Sequence, residues 1–325
     1  MKPLLEKVKE KVQGKNIKVI FADGHEAAIL KAGEMLVKNH LLTPFFVGRR
    51  TTIEKICREN KIDMVGFHVR DPYFDAGMET FVNDYYHLRK HKGVSFDEAR
   101  EIMAQSHYFG AMMVKNDLVD GMVSGFSSST KPFLPAFQII GTKNVNKASS
   151  YFLMIKENTN YLYSDCGLII DPTSEELAEI AITSAKTARL YGMNPIVAML
   201  SFSTKGSANH EMVDKVRKAT EIVRKKDPKL VIDGEVQFDA AINERIAEKK
   251  KSTLKGKANV FIFPNIDAGN IAYKITERLA GFKAIGPLLQ GLNKPINDMS
   301  RGADVEAIVN IACITAYEAL MNDRR

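Results

Sequence analysis

A chain of 325 residues is longer than one hydrophobic core usually supports, so two domains are expected. Its apolar share of 45% and charged share of 26% are those of folded globular proteins, which excludes a disordered or low-complexity chain. The net charge of +7 comes from lysines spread over helical faces, with no basic run interleaved with aromatics. That pattern excludes nucleic acid as the expected partner and suits a small polyanion such as a phosphate ester.

No stretch approaches the roughly 18 apolar residues of a membrane span, and the start, Met1 to Lys9, lacks the apolar core of a secretory signal. A cytoplasmic protein without membrane association is expected. Three scattered cysteines, Cys57, Cys166 and Cys313, do not have the spacing of metal ligands, and their odd number argues against a disulfide framework.

Short apolar runs alternate with amphipathic patterns along the chain, which predicts βαβ units around mostly parallel sheets. Expected strands lie at Ile17–Phe21, Pro44–Val47, Gly167–Ile170, Ile196–Leu200 and Val260–Phe263, several of them apolar on both faces. Tyr151–Ile155, a polar turn at 157–160 and Tyr161–Tyr163 predict a β-hairpin that opens a second unit. A helix follows Asp171-Pro172-Thr173, with Thr173 and Glu176 as its capping box, Leu177, Ile180, Ala181, Ser184 and Ala188 on one face, and Gly192 as its stop. The last helix, from about Val305, carries Ile308, Ile311, Ala312 and Thr315 on one face and is expected to pack back on the first domain. The domains expected are residues 1–140 with 300–325, and residues 141–299.

Neither a G-x-G-x-x-G after a strand nor a G-x-x-x-x-G-K-[ST] occurs, so dinucleotide and P-loop chemistry are set aside. Three polar stretches remain. Ser124 to Pro132 follows the apolar Gly121–Val123, bringing hydroxyls and Lys131 to a strand's end, where open α/β sheets bind ligands; a polar interdomain loop would read the same way. Ser201 to Ser207, after Leu200, offers hydroxyls, a lysine and a glycine to an oxyanion. Asn297 to Gly302 places an arginine fork and a hydroxyl before the final helix, suited to a phosphoryl group. His87 and His91, four apart on a helix, have Lys90 and Lys92 beside them and no acidic ligand, so no metal site is expected. Cys166 reads as a buried structural thiol.

In this order the stretches resemble the phosphate acetyl- and butyryltransferase family, phosphotransacetylases, from about Ile17 to Ala319. The resemblance is densest in Ser201–Ser207, Asp233–Ala241, Ala258–Phe261, Asp267–Ile271, Gly286–Pro295 and Ser300-Arg301-Gly302, and it favours the acetyl over the butyryl branch. It implies two α/β/α domains of the isocitrate and isopropylmalate dehydrogenase type, an active site in the cleft between them and a homodimer. It also implies reversible acetyl transfer between acetyl-CoA and phosphate, by direct attack of the coenzyme A thiol on acetyl phosphate in a ternary complex. Coenzyme A is then a substrate, and no tightly bound cofactor or metal is needed.

Position by position, the resemblance makes Arg301 the phosphate-binding arginine and Ser300 the oxyanion-stabilising serine. Arg89 matches another arginine of the substrate site, and Cys166 matches a cysteine near the site that the mechanism does not require. The expected substrate-binding set is Arg89, Ser127, Ser128, Ser129, Thr130, Lys131, Ser203, Thr204, Lys205, Lys294 and Asn297. Two positions depart from the family pattern. Ala307 stands where an aspartate usually serves as base, leaving Asp304 and Glu306 as candidate acids nearby, both of which also suit a helix cap and first turn. Leu134 stands where the serine-rich loop usually carries an arginine, leaving Lys131 as a replacement charge.

Overall fold

The computed structural model describes residues 2–127 and 133–322. Its strands are, in chain order, β1 (Lys18–Phe21), β2 (Thr43–Val47), β3 (His68–Arg70), β4 (Gly121–Ser124), β5 (Ser149–Lys156), β6 (Thr159–Ser164), β7 (Ile196–Leu200), β8 (Val231–Val236), β9 (Val260–Ile262), β10 (Lys283–Gln290) and β11 (Ile296–Asp298). The helices are α1 (Leu4–Val12), α2 (Ala27–Lys38), α3 (Arg50–Glu59), α4 (Met78–Arg89), α5 (Phe96–Met103), α6 (Ser106–Lys115), α7 (Phe133–Pro135), α8 (Ser174–Leu190), α9 (Glu211–Lys226), α10 (Phe238–Ile242), α11 (Glu244–Lys249), α12 (Ile266–Ala280) and α13 (Val305–Asn322). A 3₁₀ turn follows α4 at Lys90–Lys92, and a π-helical turn, Ala136–Ile140, follows α7.

The chain divides into two compact units, one built from residues 4–143 with 292–325 and one from 144–291. In the first, a five-stranded parallel sheet runs in the order β11-β4-β1-β2-β3. Chain order reverses between β1 and β4, since β2 and β3 build outward on one side and β4 and β11 on the other. Loops leaving the carboxyl ends of strands diverge at such a point and open space for a ligand.

The return to this unit comes at residue 292, ahead of the expected position 300, because β11 joins the first sheet with Ile296 beside Met122. The buried Asn297 amide binds β11 to the final helix through Thr315 Oγ1 at 3.0 Å and Glu318 Oε2 at 2.7 Å. That helix, α13, packs on α1, α2, β1 and β4. Every residue from Ile308 to Ala319 is buried, so it is an internal helix rather than the one-faced helix its sequence suggests.

In the second unit the six-stranded sheet runs β10-β5-β6-β9-β7-β8. Strands β5 and β6 form the antiparallel hairpin, Tyr151 opposite Ser164, and β6, β9, β7 and β8 are parallel. The capping box of α8 is present: Glu176 N–H donates to Thr173 Oγ1 at 3.2 Å and Thr173 N–H to Glu176 Oε2 at 2.9 Å. Gly192, at φ 74°, follows the helix in the left-handed conformation.

The apolar run Gly167–Ile170 is not a strand. Asp165, only 2% exposed, turns the chain after β6, and its carboxylate accepts N–H donors from Gly167 at 2.9 Å, Leu168 at 3.0 Å and Ile169 at 3.2 Å. A side chain has taken the place of a neighbouring strand in satisfying this backbone.

Candidate active site

At the carboxyl ends of β1, β4 and β11 the first unit collects polar groups from three loops. Asp23, two residues beyond β1 and 3% exposed, receives Gly125 N–H at 3.0 Å and Phe126 N–H at 3.2 Å on Oδ2, and Ser127 N–H at 3.3 Å and Ser127 O–H at 2.9 Å on Oδ1. The four donors satisfy this buried carboxylate, which fixes the loop after β4 against the end of β1. His25 Nε2 lies 3.3 Å from the same Ser127 oxygen.

Gly125 has φ +107°, and a Cβ at this position would stand 1.9 Å from Asp298 Oδ1 at the end of β11. Only a glycine satisfies both the backbone angle and the close approach. Beyond Asp298, Met299 N–H donates to Ser124 O at 2.9 Å, and a tight turn closes from Ala303 N–H to Ser300 O at 3.1 Å with Gly302 at φ 75°. That turn leaves Ser300 and Arg301 exposed beside the loops of β1 and β4.

Asp304 is the N-cap of α13, with Ala307 N–H donating to Oδ1 at 2.7 Å. Glu306 is exposed in the first turn of the same helix.

Helix α6 reaches this end of the sheet by its N-terminus. A Cβ on Gly110 would lie 2.6 Å from Met122 Sδ and 3.7 Å from Ile20 Cγ2, so α6 crosses β4 and β1 there. One turn earlier stands His107, 8% exposed, with Nε2 buried and without a hydrogen-bond partner. Burial holds its imidazole below the usual range, opposed by the Asp23 charge. Arg89, at the end of α4, lies beside Tyr85 and Tyr108, with its Nε buried and unpartnered. Burial pushes the Tyr85 hydroxyl up to about 12, and it donates to Gln138 Oε1 at 2.7 Å.

Of the residues singled out in the sequence, the structure thus brings Ser127, Ser300, Arg301, Asp304 and Glu306 to one end of one sheet, with Arg89 beside the start of α6. Ser128, Ser129, Thr130 and Lys131 lie outside the described residues. Lys294 is elsewhere: it precedes β11 and binds Asp117 at 2.5 Å and the last carbonyls of α6, Val114 O at 2.9 Å and Lys115 O at 3.3 Å, at the amino end of the sheet. Asn297 is 0% exposed and holds α13 as described above, which leaves it a framework role.

The stretch 201–207 belongs to the second unit and is bound to β8. Ser203 Oγ donates to Glu235 Oε1 at 3.3 Å, Gly206 N–H donates to the same oxygen at 2.6 Å, and Thr204 Oγ1 donates to Gln237 Oε1 at 3.2 Å. Lys205 Nζ pairs with the fully buried Asp233. Burial alone would raise the Asp233 carboxyl, but Lys205 and the Thr253 and Gly234 amides outweigh it and hold it below its usual range. The hydroxyls and ammonium that suggested an oxyanion site serve this buried acid pair.

Cys166 is buried, and desolvation first, then Asp165, pushes its thiol well above its usual range, so it is no nucleophile at neutral pH. Among the described residues no cluster of His, Cys, Asp and Glu suits a metal ion, and no helix is long and apolar enough to cross a membrane. Asp23, His25, Asp298 and His107 were not singled out from the sequence. The available signal was position: Asp23-Gly24-His25 directly follows β1, as the serine-rich loop follows β4.

Residues 3–316 match the family model described as phosphate acetyl/butaryl transferase. The chain is 45% identical over 324 residues to the phosphate acetyltransferase of Bacillus subtilis (strain 168), covering 98% of this chain and 100% of that one. It superimposes on a phosphotransacetylase from Streptococcus pyogenes with a TM-score of 0.94 at 41% identity, covering 98% of each chain. A protein assigned as a 4-hydroxythreonine-4-phosphate dehydrogenase from Salmonella typhimurium shares the fold alone, at a TM-score of 0.58 and 12% identity over 94% of this chain and 99% of that one. Kinship of this strength along the whole length, on a mixed α/β fold with mostly parallel sheets, means that the chain belongs to the phosphate acetyl/butaryl transferase family.

Proposed function

We propose that the protein is a phosphate acetyltransferase, an acyltransferase that moves an acetyl group reversibly between coenzyme A and phosphate. The observation that carries this is the 45% identity to a phosphate acetyltransferase over 98% of this chain and 100% of that one. In this reading the thiol of coenzyme A attacks the carbonyl carbon of acetyl phosphate while both substrates are bound, the C–O bond to phosphorus breaks, and phosphate leaves.

Holding two substrates together supplies much of the rate. Arg301 binds the phosphoryl oxygens and Ser300 meets the developing charge on the carbonyl oxygen. Ser127 stands at the same end of the sheet, with Arg89 as a second cation. Asp304 and Glu306 flank the arginine from the start of α13. Coenzyme A is a substrate and not a resident cofactor. The same reading makes the protein cytoplasmic, active in acetate metabolism and homodimeric; the last is supported by the exposed stripe Ile271, Ile275 and Leu279 on α12.

The test is thioester formation from acetyl phosphate and coenzyme A, followed by absorbance, for wild type and Arg301→Ala. Wild type should turn over, and Arg301→Ala should lose on the order of 10²–10³-fold in kcat. Because Arg301 is exposed, its melting temperature should move by less than about 3 °C. A wild type inert toward acetyl, propionyl and butyryl phosphate alike would overturn the reading, and a preference for the longer acyl phosphates would move the protein to the butyryl branch.

A further inference from the structure

The end of the first sheet holds a histidine that the family resemblance did not bring forward. Ser127 has one hydroxyl proton, and Asp23 Oδ1, a carboxylate oxygen that can only accept, takes it at 2.9 Å. The contact between Ser127 Oγ and His25 Nε2 at 3.3 Å can then be a hydrogen bond only if Nε2 carries the proton and donates. Glu26 Oε1, 3.5 Å from the same nitrogen, is a second acceptor facing it and favours the same tautomer. Hydrogen-bond bookkeeping thus leaves Nδ1 as the basic nitrogen of the neutral ring.

The imidazole is also reachable, since its side chain is 53% exposed, unlike the buried His107 on α6. It stands on the loop after β1, at the point where chain order in the sheet reverses. Asp23, two residues before it, binds Gly125, and Gly125 abuts Asp298, two residues before Ser300.

Three of the carboxylates at this end are engaged, which leaves Glu306, in the first turn of α13, as the acid that competes with His25 for the role. The Asp23 carboxylate accepts four hydrogen bonds. Asp298 Oδ1 accepts Met299 N–H at 3.0 Å. Asp304 Oδ1 caps α13, and Ala307 has no side chain that accepts a proton. An imidazole also matches proton transfer from a thiol near neutral pH better than a carboxylate does.

We propose that His25 is a catalytic residue of this protein and that its Nδ1 accepts the thiol proton of coenzyme A, an assignment that rests on the acyltransferase reading above. The S–H bond breaks as Nδ1–H forms, and the sulfur pair makes the S–C bond to the acetyl carbonyl. The C–O bond to phosphorus then breaks, and the imidazolium returns its proton to the departing phosphate, so that the ring is neutral again after each turnover. Glu26 and Asp23 on the same loop stabilise the imidazolium as it forms, and Arg301 from the loop after β11 opposes it. Ser127 fixes the ring's orientation.

The experiment measures kcat, the KM for coenzyme A and the pH profile of kcat/KM for wild type, His25→Gln and His25→Ala. His25→Gln should lose on the order of 10²–10⁴-fold in kcat with KM changed by less than about threefold. The acid limb of the wild-type profile should flatten in His25→Gln, and added imidazole should restore part of the rate to His25→Ala. A His25→Gln enzyme with the wild-type rate, or one that is slower but keeps the wild-type acid limb and gains nothing from imidazole in the alanine variant, overturns the assignment while the acyltransferase reading stands. A wild type that forms no thioester overturns both.

Discussion

Gly125 stands between two carboxylates: its N–H binds Asp23, and its Cα faces Asp298 so closely that no side chain fits. The left-handed φ and the 1.9 Å approach of a Cβ to Asp298 Oδ1 act together, so Gly125→Ala must displace either the loop after β4 or the end of β11. We expect it to destabilise the protein by roughly 1–3 kcal/mol, read from denaturant unfolding, and to lower activity further because Ser127 and Ser300 both follow from these backbones. An alanine variant with wild-type stability and rate would show that the close approach has no such consequence. None of this is legible in a serine-rich run preceded by one glycine, since Asp298 lies 173 residues away in sequence.

At the scale of elements, the stretch 201–207 shows how the same residue types serve a different end. After β7 its hydroxyls and lysine resemble an oxyanion loop, yet β8 brings Asp233 and Glu235 alongside and the loop satisfies them. Asp233 is held below its usual range, so it contributes stability that is fully present above the unfolded value of about 3.9 and is lost as pH falls through the lower folded value. Unfolding at neutral pH and below about pH 4 should therefore show an acid loss in wild type that is smaller in Asp233→Asn. The variant should also be less stable at neutral pH, because Lys205 and Arg224 lose their charged partner. An identical acid loss in both proteins would exclude Asp233 as its source. The run Gly167–Ile170 carries the same lesson, since its apolar pattern suits a strand but the Asp165 carboxylate takes its N–H groups first. The hairpin of β5 and β6 and the capping box of α8 were legible because turn and cap chemistry act within a few residues.

For the whole molecule, the proposed homodimer has a face to use. On α12, Ile271, Ile275 and Leu279 recur every fourth residue and are 57%, 52% and 83% exposed, with the exposed Lys274 and Arg278 beside them. If a second copy covers this stripe, Ile275→Glu should shift the protein to monomer in light scattering without lowering its helix content; a wild type that is itself monomeric, or an unchanged dimer, would exclude this face. By itself the sequence determined the α/β class, the hairpin, the helix caps and the family, because apolar periodicity, capping residues and motif order are local or linear properties. It also singled out Ser127 in a loop after a strand, and Ser300 and Arg301 ahead of the final helix. Only the tertiary structure decided which polar stretch stays open at the sheet's end and which is bound up: Asp23 pairs with the loop after β4 across about a hundred residues, Asn297 turns to α13, and Lys205 turns to Asp233. A polar side chain serves a ligand or its own framework according to the donors and acceptors that folding brings beside it, and those come from distant parts of the chain.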